Sequence, residues 1–112
     1  MTSLRAALDE YLAVRRAMGY QLRLTGRMLR RFVEFAEHEH ADYITTELAL
    51  TWATQPTHAQ PAQWANRLAM VRGFARYCAP NDPRTVVPRP DLLPHAYRLV
   101  AALERLTAAT TR

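Results

Sequence analysis

The 112 residues are 49% apolar and carry a formal net charge of +5, a composition that fits one domain with a modest core and excludes a long disordered chain. No apolar run approaches the length of a membrane span, charged residues from Arg5 to Arg16 interrupt any signal-peptide stretch, and a single Cys excludes an internal disulfide and fits a reducing cytoplasm. All 15 basic residues are Arg, with seven in 1–31, none in 32–63 and eight in 64–112, where the acids number two, five and three. Two basic segments therefore flank an acidic one, and they form one positive surface if they pack side by side.

Ser3 is placed to cap a first helix whose buried face is Leu4, Ala7, Leu8, Tyr11 and Met18. Arg15 and Arg16 suit its negative end, and Gly19 suits the left-handed residue just past it. A short connection over 19–25 leads into a second helix reaching about His40. Its apolar stripe is Leu24 or Thr25, Met28, Phe32, Phe35 and Ala36, and its opposite face carries Arg23, Arg27, Arg30, Arg31 and Glu34. Arg23, Arg27 and Arg31 are spaced four apart, and each such like-charged pair costs an isolated helix about 0.2–0.5 kcal/mol. Glu34 is within reach of Arg30 and Arg31 only. A ladder that the helix itself disfavours points to a polyanionic partner. His38 and His40 are two apart and diverge on a helix, so they read as a solvated end and not as metal ligands.

The periodicity breaks over 42–46. Thr45 or Thr46 then caps a short third helix from Glu47 to about Thr54, with Leu48 and Trp52 turned inward. A loop containing Pro56 and an isolated, solvated His58 precedes the fourth helix, predicted over 61–79 between Pro61 and Pro80. Trp64, Leu68, Val71, Ala75 and Cys78 form its apolar spine. Gln63, Asn66 and Arg67 lie along one flank and Arg72 and Arg76 along the other, a pattern that can dock on a core and meet DNA. Five of the seven prolines fall in 80–94. That stretch reads as an extended arm anchored by Val86, Val87, Leu92 and Leu93, followed by a terminal helix over about 97–107.

The sequence holds no Gly-rich phosphate loop, nucleophile elbow, Cys pair or zinc-protease motif, and its carboxylates cluster on expected helix ends. Cys78 reads as core, as does Tyr11, and Tyr20 and Tyr97 lie near arginines but lack the surrounding pattern of cations that a nucleophilic tyrosine attacking phosphate needs. Catalysis, metals, cofactors and a small-molecule substrate are therefore not expected of this chain.

Three stretches taken in order, 15–20 (Arg-Arg-Ala-Met-Gly-Tyr), 27–35 (Arg-Met-Leu-Arg-Arg-Phe-Val-Glu-Phe) and 67–77 (Arg-Leu-Ala-Met-Val-Arg-Gly-Phe-Ala-Arg-Tyr), resemble the N-terminal core-binding, SAM-like domain of the tyrosine recombinase or phage-integrase family. The entry into the third helix, Ile44-Thr45-Thr46-Glu47, also fits. The similarity covers about residues 4–94. It implies a small helical domain that clamps one face of double-stranded DNA, with the second and fourth helices in the major groove. The catalytic Arg, Lys, His and Tyr of that family belong to a separate C-terminal domain, so no catalytic residue carries over. By matched position the resemblance implies DNA contacts from Arg23, Arg27 and Arg30, and from Gln63, Asn66 and Arg67. Arg31 extends the ladder, and Arg72 fits the motif but could pair with an acid such as Glu47. Pro61-Ala62-Gln63 departs from the Thr-containing start common in the family.

The expectation is an all-α fold: a four-helix core-binding bundle over 1–80, a proline-rich arm over 81–96 packed on it, and a terminal helix over 97–112 leading toward a linker. The expected partners are double-stranded DNA and other recombinase protomers, in the cytoplasm and on the nucleoid when bound. The alternatives are a helical protein-interaction module with an acidic partner, or an inactive truncated recombinase. Trp64, as a spine residue, is expected to be essential for folding.

Overall fold

Ser3 opens the first helix, α1 (Leu4–Ala17), by accepting the Ala6 N–H at its Oγ at 3.1 Å. Three more helices follow: α2 (Arg23–His38), α3 (Thr46–Ala53) and α4 (Pro61–Cys78). The computed structural model describes residues 3–93, which form an all-α fold. The terminal helix expected over 97–112 and the last residues of the arm lie outside the described residues.

The helix ends follow local chemistry closely. Gly19, at φ 100°, ends α1, with the Tyr20 N–H on the Arg15 carbonyl and the Gly19 N–H on the Arg16 carbonyl. The same motif ends α2, with His40 at φ 57° in the glycine position and the Ala41 N–H returning to the Ala36 carbonyl at 2.8 Å. His38 and His40 are both exposed there. Thr45, not Thr46, caps α3, its Oγ1 accepting the Leu48 N–H at 3.1 Å. At the start of α4, Pro61 takes the first turn and the Gln63 side chain accepts the Gln60 N–H at 3.1 Å.

α2 and α4 are the central pair. Each packs against the other and against both α1 and α3. Leu8, Leu12, Leu29, Phe32, Val33, Trp52, Leu68, Val71 and Phe74 fill the space between them and are almost entirely buried. Ala36, Ala49, Ala53 and Ala75, all fully buried, allow the helix axes to approach closely. The Trp52 indole meets the Phe32 ring edge-on at 5.4 Å, and Tyr11 packs on Phe74 and Tyr77.

Several expected core positions are displaced. On α1, Met18 is 65% exposed and Leu12 takes the buried place, because Met18 already lies past the helix end. On α2 the buried stripe is Leu29, Phe32, Val33 and Ala36, so Leu24 is 56% exposed and Thr25, Met28 and Phe35 sit at its margin. The expected stripe followed one edge of a broader apolar face, since α2 touches three helices and not one. On α4, Phe74 joins the core, while Trp64 is only half-buried and donates its Nε1–H to the Pro56 carbonyl at 2.7 Å, pinning the 55–60 loop.

Along the arm, Leu93 and Pro88 are buried and Val87 and Leu92 pack against the core, while Val86 is 47% exposed. The backbone of Val86 makes the attachment instead, its N–H donating to the Ile44 carbonyl at 2.8 Å. Among the described residues, no helix is long and apolar enough to cross a membrane.

Candidate nucleic-acid interface

Intramolecular partners divide the arginines into two groups. Arg5 forms a two-bond fork with Glu37 at 2.7 and 3.0 Å, which raises the arginine pKa and lowers that of the carboxylate. Arg84 and Arg89 pair with Asp82 and Asp91. Arg15 lies over the rings of Tyr11 and Tyr20. By contrast, Arg23, Arg27, Arg30 and Arg31 are all exposed on α2, and among the described residues none of them makes an ion pair or a side-chain hydrogen bond. Glu34, on the same face, pairs with none of them. Arg16 joins them from α1, its Nη2 lying 3.2 Å from where a Cβ on Gly26 would stand.

The charge order of α2 opposes its own dipole. Arg23 stands in its first turn, at the positive end, and Glu37 in its last, while Arg27, Arg30 and Arg31 lie nearer its middle. Each such placement within a terminal turn costs about 0.3–1 kcal/mol when exposed. No side chain caps the start of α2, and Leu22 before it adopts a left-handed backbone at φ 54°, a conformation that costs a leucine about 1–2 kcal/mol. The Leu22 side chain packs on the core, which holds the strained backbone in place. The outcome is an open, positive helix end that begins a ladder of four cations without ion-pair partners among the described residues, an arrangement suited to phosphate.

The expected α4 residues have different fates. Gln63 and Asn66 are exposed at its start. Arg67 is half-buried: its guanidinium lies 3.8 Å from the centre of the Trp52 ring, and its Nη2 donates to the Trp52 carbonyl at 2.7 Å. Burial, and then the nearby Arg31 charge, lower its pKa. Arg72 does not pair with Glu47; its Nε donates to the Pro88 carbonyl at 2.6 Å and clasps the arm. Arg76, on that flank, is exposed.

Between α2 and α4 lies a groove of about 290 Å³, lined by Leu24 and Met28 from one helix and by Gln63, Asn66, Arg67 and Met70 from the other, with Pro56 and Ala59 at its end. The structure thus brings Leu24 and Met28 of α2 to the α4 amides, and Arg31 close enough to act on the Arg67 charge. The sequence does not place Arg16 beside the ladder, and it puts Leu24 or Thr25, with Met28, on the buried stripe; Met28 packs against the core as well as lining the groove. Their position at the margin of the α2 apolar face was the available signal for Leu24 and Met28. The seats of Arg67 and Arg72 join residues 15 and 16 apart across different elements, and no local pattern marks them.

The titratable groups at the C-terminal end of α4 are held in structural contacts. Tyr77 donates its hydroxyl to Glu10 at 2.6 Å, and that bond pushes its pKa up to about 12, away from the range of a nucleophile. Cys78 is buried in the core, and desolvation pushes its pKa up to about 11.

No family model matches the chain, and no solved structure matches it. Over 94 residues, 84% of its length, it is 51% identical to the Sinorhizobium fredii (strain NBRC 101917 / NGR234) protein named "Putative integrase/recombinase y4rB". The chain is similar to an integrase/recombinase. The chain spans 30% of that relative's length.

Proposed function

We propose that this chain binds double-stranded DNA as the core-binding half of a tyrosine recombinase clamp, acting in DNA recombination and integration. The chemistry of strand cleavage belongs, on this reading, to a separate catalytic domain. The observation that carries the proposal is the ladder of Arg23, Arg27, Arg30 and Arg31, exposed and without an ion pair among the described residues, beside the exposed amides of α4. A solvated surface of no function would not need like charges stacked four residues apart with no acid paired to them among the described residues. The similarity to an integrase/recombinase supports the same reading.

In this reading the α2 arginines, with Arg16, contact phosphates, and Gln63 and Asn66 reach base edges. Arg67 and Arg72 serve the interface indirectly, by seating α4 against α3 and the arm against α4. The test is fluorescence anisotropy of the purified chain with labelled duplex DNA across a range of salt. The expected result is a linear fall of log affinity with log salt, its slope reporting several phosphates at about 0.9 per phosphate. No binding at low salt would overturn the proposal.

A further inference from the structure

The groove between α2 and α4 has a chemistry that selects among base pairs; the inference rests on the DNA-binding reading above. The three α4 side chains at the groove are not equally available to a ligand. Arg67 is held against the ring and carbonyl of Trp52, so its fork is not free for the O6 and N7 acceptors of guanine. The Gln63 carbonyl oxygen is held by the Gln60 N–H. Asn66 is exposed and makes no side-chain hydrogen bond among the described residues. Its amide offers one donor and one acceptor side by side, the complement of adenine N7 and N6.

Across the groove from Asn66, the lining is Leu24 and Met28, and Met70 lies one turn along α4. Leu24 is 56% exposed on a helix face otherwise occupied by arginines. An apolar strip flanked by phosphate-seeking cations has a matching feature in the major groove, the 5-methyl group of thymine. We propose that the groove receives the major-groove edge of an A·T pair, with Asn66 on the adenine and the thymine methyl against Leu24, Met28 and Met70.

The test uses the purified chain and three short duplexes of alternating dA·dT, dA·dU and dG·dC, with anisotropy read at low salt. The dA·dU duplex differs from dA·dT only by the methyl. The expected order is dA·dT tightest, with dA·dU weaker by about fourfold per methyl lost. Asn66→Ala is expected to weaken dA·dT binding by about tenfold and to leave dG·dC unchanged. Leu24→Ser is expected to erase the difference between dA·dT and dA·dU. Both substitutions fall on exposed side chains, and circular dichroism melting checks that each variant keeps its fold. Equal affinity for dA·dT and dA·dU, or an equal loss on all three duplexes in Asn66→Ala, overturns this inference while DNA binding stands. Failure to bind any of the three overturns both.

Discussion

At the scale of single residues, function and stability separate cleanly among the arginines. Arg5, with its carboxylate fork, and Arg67, with its ring and carbonyl, are held by the fold; Arg27 and Arg30 are held by nothing among the described residues. Arg27→Ala and Arg30→Ala should therefore leave the melting temperature unchanged, weaken binding to every duplex and reduce the salt slope by about one unit each. Anisotropy titrations across salt check this, and an unaltered slope in both variants would place the DNA elsewhere. Gly26 offers a stability test at the same site. Its Cβ would meet only the flexible end of Arg16 and, at ordinary contact distance, Leu12. Gly26→Ala should stabilise α2 by about 0.5–1 kcal/mol, read as a higher melting temperature. A lower one would show that Arg16 cannot yield.

At the scale of elements, the two tryptophans have different tasks. Trp52 on α3 is 2% exposed, packs on Phe32 and seats Arg67. Trp64 on α4 is half-buried and pins a loop through one hydrogen bond. Trp52→Ala should cost about 3–5 kcal/mol, enough to unfold much of a domain this small. Trp64→Phe should cost about 1 kcal/mol for the lost bond, and Trp64→Ala less than Trp52→Ala. Urea unfolding measures all three, and equal losses at the two positions would contradict the packing described. Much of this level was legible in the sequence. The caps at Ser3 and Thr45, the ends at Gly19 and Pro61, and the inward Trp52 all rest on contacts within a few residues. Trp64 packs against the core but stays half-buried, because helical spacing reports which face a residue shares, not how far the neighbouring helices extend over it.

At the scale of the whole molecule, charge is segregated and the alkaline side of stability is set by two groups. The Cys78 thiol is raised by burial from 9.0 to about 11, and the Tyr77 hydroxyl by its bond to Glu10 from 10.0 to about 12. In both cases the folded chain keeps a proton that the unfolded chain releases first. Their contribution is present in full below about pH 9, and is lost as pH rises from there through 12. The melting temperature should fall over that range, and Tyr77→Phe should flatten the upper part of the fall. A flat profile from pH 9 to 12 would show that neither contact is formed in solution. The proposed clamp role also has a consequence at this scale: joining the domain to a second DNA-binding half raises its effective concentration at the site, so the isolated chain should be the weaker binder.

What the sequence determined by itself was the helical class, the order of the four helices and the arginine ladder, because each depends on periodicity or on capping within one turn, while α2 begins at Arg23, inside the connection expected over 19–25. Tertiary structure decided which side of each face was core and which arginines remained free. Leu24 left the core for a groove because α2 packs on three partners at once. Arg67 and Arg72 found carbonyls on Trp52 and Pro88 because chain folding brought α3 and the arm beside α4. A side chain's availability to a ligand depends on every group the fold brings within hydrogen-bond reach, and those groups are distant in the chain.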